Sequence, residues 1–154
     1  MRALVQRVKK ATIAQSVTPL KPIATIGKGM LMLLGFENGD SPVSIEQMVM
    51  KIRNLRIFAD ADGKMNIAGP DCNAEYLLVS QFTLFADCKY GNRPSFDKAA
   101  PKVAAKEYYE HFVATSERIL GKERVRHGEF GSDLLVEIHN DGPVTLWMDS
   151  HEVL

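Results

Sequence analysis

Strand-like and helix-like segments are mixed along these 154 residues without strict alternation. That order excludes a doubly wound parallel sheet and points to an α+β fold. Residues 2–8 read as a strand with residues 11–17 as its hairpin partner, and the two-proline stretch 18–22 reads as a rigid turn. Residues 23–26 and 30–36 add strands around Gly27 and Gly29. Ser41 fits an N-cap with Pro42 at the first helical position, and Ile45, Met48, Val49 and Ile52 recur at helical spacing, so a helix is expected over 42–54. Its Met48 and Met50 read as core filler rather than a metal box. Residues 56–59 form a short strand and 60–64 a turn, which has Asp60, Asp62 and Gly63 but lacks the later ligands of a calcium loop. Residues 75–85 supply a central strand or strand pair, 86–98 a loop, and 100–120 a helix closed by Gly121. Two strands, 133–139 and 144–149, end the chain. Nothing repeats and no linker intervenes, so a single domain over 1–154 is expected, large enough to bury about two-thirds of its unfolded surface.

Nineteen basic residues balance nineteen acidic ones. A protein that grips long nucleic acid through phosphates carries a basic excess, so the balance argues against that class but not against contact with a short single-stranded end. Charge interrupts the first apolar run too early for a signal peptide, and no apolar stretch approaches the roughly 20 residues of a membrane span. Cys72 and Cys88 form no CxxC and have no zinc spacing, so reduced thiols in a cytoplasmic protein are expected, with no metal and no cofactor.

Hydrolase signatures are missing: there is no Gly-x-Ser-x-Gly elbow and no His-Glu-x-x-His. Of the four histidines, His139 adjoins a Gly-Pro pair, and a surface or core role outweighs a general base there. Cys88 has nothing nearby to lower its pKa. Asn140-Asp141-Gly142-Pro143-Val144-Thr145 lies between two β-rich runs, and on residues alone a hairpin turn is the stronger reading. Tyr76-Leu77-Leu78-Val79 reads as a buried strand. The polar Ser80, Gln81 and Thr83 that follow are expensive at such a strand end unless they bond something.

Ser80-Gln81-Phe82-Thr83-Leu84, the loop Gly91-Asn92-Arg93-Pro94-Ser95-Phe96 and the Gly142-Pro143 segment, in this order, resemble the D-aminoacyl-tRNA deacylase (D-tyrosyl-tRNA deacylase) family. Gln6-Arg7-Val8 and Gly128-Glu129-Phe130-Gly131 extend the resemblance from Met1 to Asp149. It implies mixed and antiparallel sheets forming a barrel-like core with two main helices. It implies hydrolysis of the ester joining a D-amino acid to the terminal adenosine of tRNA, and of glycyl-tRNA mischarged on tRNA(Ala). Ser80, Gln81, Phe82 and Thr83 would carry the chemistry, by backbone N–H stabilisation of the oxyanion while the substrate's 2′-hydroxyl helps the water. Gly142 and Pro143, joined by a cis bond and braced by Arg7, would enter the partner subunit's site as a backbone clamp that rejects L-aminoacyl groups, so a homodimer is implied. Ala105 would lie near the aminoacyl group, with Phe130 and Leu134 beside the adenosine; Leu134 stands where the family favours Met. Lys89, Arg93, Lys98, Lys102 and Lys106 form a track for the acceptor end or a plain solvated face.

Two other readings compete. A relative that removes misattached L-amino acids alters the Ser-Gln-Phe motif, which is intact here. A non-catalytic nucleic-acid-binding module on the same scaffold sits poorly with zero net charge.

Overall fold

The computed structural model describes residues 1–154, with the side chains of residues 18–20 outside the described set. Eight strands and three helices follow in the order β1 (Arg2–Gln15), β2 (Thr18–Ile26), β3 (Gly29–Gly35), α1 (Pro42–Arg53), β4 (Phe58–Ala59), β5 (Met65–Ile67), β6 (Glu75–Ser80), α2 (Lys102–Leu120), β7 (Val125–His127), β8 (Leu134–Asp149) and α3 (Ser150–Val153). The main sheet runs β2-β1-β3-β6-β7, with β8 also pairing β1, and curls into a nearly closed barrel. β1 is antiparallel to β2, β3 and β8, whereas β3, β6 and β7 run parallel. The class is therefore the expected α+β with two main helices, α3 being a single turn.

β1 is one strand of fourteen residues, not a hairpin of 2–8 with 11–17. Its inward residues change phase along the way: Ala3 and Val5 belong to one core, and Val8, Ala11 and Ile13 to another. Register shifts against β8 between Gln6 and Val8 and between Val8 and Lys10 produce the change. A strand that slips phase at Lys9-Lys10 imitates a turn in sequence. The turn lies instead at Ser16-Val17, and residues 18–22, expected as a turn, open β2.

The larger core packs α1 and α2 onto the sheet through Ile45, Met48, Phe112 and Tyr109 against Met30, Met32 and Tyr76. α1 begins as the sequence suggests: Ser41 and Ser44 exchange a capping box, each side chain bonding the other's backbone N–H. The smaller core fills the inside of the curl with Val8, Ile13, Leu31, Leu77 and Val79.

The C-terminal pair of strands is also a single element. β8 pairs β1 from Gln15↔Leu134 to Val8↔Asn140, and again from Gln6↔Thr145 to Arg2↔Asp149. Both flanks of the Gly-Pro segment therefore lie on the same neighbour, and residues 141–144 stand out as a bulge rather than a hairpin turn. β7 and α3 were not expected from sequence. No helix among the described residues is long and apolar enough to cross a membrane.

Candidate active site

The parallel strands β3 and β6 end side by side at Leu34 and Ser80, and a cavity of about 290 Å³ opens there. The backbone N–H of Gln81 donates to the carbonyl of Leu34 at 2.7 Å, which carries the pairing one step past the strand. The chain then tightens into a 3₁₀ turn, Phe82–Phe85. Gly35 makes room for it: a Cβ there would stand 3.0 Å from the Gln81 carbonyl oxygen and 3.1 Å from the Phe85 ring. With the Gln81 amide engaged, the Phe82 amide is the better free donor, since the first amides of such a turn have no acceptor within it.

Ser80, Gln81, Phe82, Ala105, Phe130 and Leu134 all line this cavity. Six of the ten residues singled out from sequence are thus brought together. Thr83 is not among the lining residues; it is exposed, and its hydroxyl accepts a 2.6 Å bond from Gln81 Nε2. A second chamber of about 390 Å³ shares Phe82, Ala105 and Phe130 with the first and adds Phe96 and Lys102. Phe82 and Phe96 meet edge to face at 4.9 Å.

Gly142, Pro143 and Arg7 do not line either chamber. The Gly142–Pro143 peptide bond is cis, and both residues are exposed at the tip of the bulge. Arg7 sits opposite it on β1. Its Nε donates to the Asp141 carbonyl oxygen at 2.9 Å, and its Nη1 to the Ile57 carbonyl oxygen at 2.5 Å. Asn140 closes the base of the bulge, accepting from the Val144 N–H at 3.0 Å and donating to Thr145 Oγ1 at 3.1 Å. Gly142 has φ +137°, and a Cβ there would stand 3.0 Å from Arg7 Nη2.

Three contributors were missed in sequence. Asp133 is the sole titratable residue among the described residues that line the first chamber, and it precedes Leu134 with no motif to mark it. Tyr109 is buried beneath Phe130, ring centres 5.8 Å apart, with its hydroxyl 3.0 Å from the Leu78 carbonyl oxygen and 2.9 Å from that of Gly128. Burial pushes its phenol well above the ordinary range. Arg2 donates from Nη1 to the Leu84 carbonyl oxygen and from Nε to Asp149 Oδ2, each at 2.9 Å, and so ties the 3₁₀ turn to β1 and β8. In a helical or strand pattern both read as ordinary residues.

His139 faces solvent and pairs with Glu137 at 2.8 Å, and Cys88 is exposed; neither lines the chambers. Glu37, Asp149 and His151 bring ligand atoms within 4.8 Å of one another, a grouping that sequence spacing concealed. The N-terminal ammonium already pairs with Glu37 at 3.0 Å and Arg2 with Asp149, so protein cations neutralise both carboxylates. None of the three lines either chamber.

A family model described as D-Tyr-tRNA(Tyr) deacylase matches residues 4–149. A protein of Clostridium tetani named D-aminoacyl-tRNA deacylase is 47% identical over 153 residues, covering 99% of each chain. One of the same name from Thermosipho africanus is 45% identical over 153 residues, again covering 99% of each. A solved structure described as c-Myc DNA Unwinding Element Binding Protein superposes with a TM-score of 0.90 at 38% identity, over 97% of this chain and 98% of that one.

Proposed function

The chain belongs to the D-Tyr-tRNA(Tyr) deacylase family, and on that premise we propose that it hydrolyses the ester of D-aminoacyl-tRNA in the cytoplasm, releasing tRNA and the free D-amino acid. The observation that carries the reading is the paired chamber at the ends of β3 and β6. One chamber ends in backbone amides and Ser80 and suits an aminoacyl ester; the other is walled by Phe82, Phe96 and Phe130 and suits the terminal adenosine.

An ester needs less activation than an amide. The protein's tasks are to hold the scissile carbonyl in place and to stabilise the negative charge that grows on its oxygen. The Phe82 amide, fixed by the Gln81–Leu34 bond beside it, is the donor for that charge. The substrate's 2′-hydroxyl assists the attacking water, and no protein nucleophile forms a covalent intermediate. Phe130, which lines both chambers, bounds the adenosine and Ala105 keeps room beside the aminoacyl group, whereas Leu134 lines the ester chamber and not the one assigned to adenosine.

Chirality is read by Gly142 and Pro143 of a second copy of the chain. Their exposed tip, braced by Arg7, enters the first chamber of the partner and leaves space for hydrogen but not carbon on one side of the substrate Cα. Glycine has no side chain to exclude, so glycyl-tRNA mischarged on tRNA(Ala) is a substrate as well. A backbone wall serves every D side chain alike.

The test is deacylation of D-tyrosyl-, L-tyrosyl-, glycyl- and L-alanyl-tRNA by the purified protein. The D-tyrosyl and glycyl esters are cleaved and the two L esters spared. Apolar pockets separate a methylene by only roughly 10–200-fold, so a larger glycine-to-L-alanine ratio supports rigid exclusion. Equal rejection of glycine and L-alanine refutes the clamp, and no release from D-tyrosyl-tRNA refutes the activity. Sedimentation of the protein as a monomer at assay concentration with full selectivity would remove the second copy from the account.

A further inference from the structure

Beyond Phe96, on the outer side of the second chamber, the chain carries a second aromatic and cationic group. Residues 87–95 fold back on themselves: the Asp87 N–H donates to the Ser95 carbonyl oxygen at 2.8 Å, and the Ser95 N–H returns the bond to that of Asp87 at 3.0 Å. Phe96, itself partly exposed, lines the second chamber, while its neighbours Ser95 and Asp97 line a separate cavity of about 290 Å³ with Tyr90, Arg93 and Lys98. The two cavities therefore lie on opposite sides of one short segment.

The carboxylates of this segment are satisfied from within. Asp87 accepts from the Lys89 N–H at 3.0 Å and from Lys98 Nζ at 3.1 Å, and Asp97 accepts from Ser95 Oγ at 2.6 Å. Lys89 and Arg93 form no ion pair among the described residues and are exposed. Lys89 Nζ lies 5.1 Å from the centre of the Tyr90 ring, and that ring is 80% exposed. A cation on an exposed aromatic ring with an unpaired guanidinium beside it is the pattern that binds a base and its phosphate in single-stranded nucleic acid.

We propose that this loop is a subsite for the nucleotide on the 5′ side of the terminal adenosine. Its base stacks on Tyr90, and its phosphate is held by Arg93 with Lys89. The proposal rests on the tRNA-ester reading of the adjoining chambers. Lys89 and Arg93 are two of the cations that form no ion pair among the described residues, and they put positive charge beside the site in a chain of zero net charge. Lys98 and Lys106 are already paired, with Asp87 and Glu110 respectively, and contribute less.

Two non-hydrolysable probes test it: adenosine carrying a D-tyrosyl group on a 3′-amine, and the trinucleotide CCA carrying the same group. The wild-type protein binds the trinucleotide more tightly. Tyr90→Ala weakens trinucleotide binding by about 5–150-fold, the range for one base on one aromatic ring; Tyr90→Phe restores it. Arg93→Gln lowers the slope of log affinity against log salt by about 0.7, the value for one single-strand phosphate. If wild type cleaves D-tyrosyl-tRNA but binds both probes equally, or if Tyr90→Ala weakens both probes alike, the subsite is refuted. If wild type neither cleaves D-tyrosyl-tRNA nor binds the adenosine probe, the reading of the chambers falls first.

Discussion

Arg2→Met removes a side chain that fastens the 3₁₀ turn to β1 and β8. The guanidinium bonds the Leu84 carbonyl oxygen and Asp149, and lies 4.4 Å from the centre of the Phe85 ring and 5.3 Å from that of Trp147. Met preserves most of the apolar stem and removes the charge. A hydrogen bond to a charged group contributes about 1.5–3 kcal/mol, and a partly exposed cation–π contact about 0.5–1 kcal/mol. Two such bonds and two such contacts sum to about 4–8 kcal/mol; Arg2 is about a quarter exposed, with side-chain exposure 26%, and solvent screening leaves about half of that, about 2–4 kcal/mol. For a chain of this length that lowers Tm by roughly 5–15 °C.

Asp149 gives the pH signature. Burial pushes its carboxyl up, but the Arg2 hydrogen bond, the His151 amide and the Arg2 charge together hold it below its ordinary 3.8. A depressed folded pKa gives stability that is present above the unfolded value and lost as pH falls through the folded one. The gap between wild type and Arg2→Met is therefore full at pH 7 and narrows below about pH 4. Urea denaturation at pH 7 and pH 3, with kcat/KM measured in parallel, checks both halves. A gap that is unchanged between the two pH values, or smaller than about 0.5 kcal/mol at pH 7, refutes the reasoning.

On the proposed mechanism, in which the substrate's own hydroxyl assists the water, Asp133→Asn keeps deacylation within about threefold; a loss of about 100-fold or more, the contribution of a general base, would make Asp133 that base. Thr83→Ala keeps substantial activity, since the Thr83 hydroxyl only accepts a bond from Gln81, and a covalent aminoacyl adduct trapped at Thr83 would overturn this. Phe130→Ala raises KM by about 5–150-fold with a smaller change in kcat, as expected for a lost stacking surface; an unchanged KM removes Phe130 from the adenosine site. Tyr109→Phe lowers stability by about 1–2 kcal/mol at neutral pH. The wild-type phenol is raised by burial from 10.0, so its contribution is complete below about pH 10 and is lost above, and the two unfolding curves converge in alkali. Parallel curves would refute that cause.

Elements with a single local cause were legible in the sequence. α1 is announced by Ser41 and Pro42 and by four apolar residues at helical spacing, and all four are buried. α2 ends at Gly121, whose φ of +99° few other residues would adopt. Elements decided by a distant partner were not. β1 looks like two strands because its inward phase changes where β8 bulges opposite it. β7 is three residues long, and its pairing to β6 rather than its composition defines it.

The same division separates the halves of the site. Ser80 to Phe82 follow directly from a buried apolar strand, so their place at its mouth is a local fact. The wall that completes the chamber, from Ala105 through Phe130 to Leu134, depends on α2 and β8 folding back over the end of β6. The Gly-Pro segment shows why composition alone misleads. Asp-Gly-Pro between two β-rich runs is the chemistry of a hairpin, yet both runs pair with the same strand, so the chain cannot reverse there and must loop outward. The consequence is mechanical. A hairpin tip moves with its own two strands, whereas this bulge is seated on β1, where Arg7 bonds the Asp141 carbonyl at its base. Arg7 also bonds Ile57, on the segment leading from α1 into β4, so the tip is fixed to a second part of the fold. The proposed discrimination of hydrogen from carbon requires a loop held in this way, at Asp141 and through Arg7 to Ile57, rather than a free turn of the same composition.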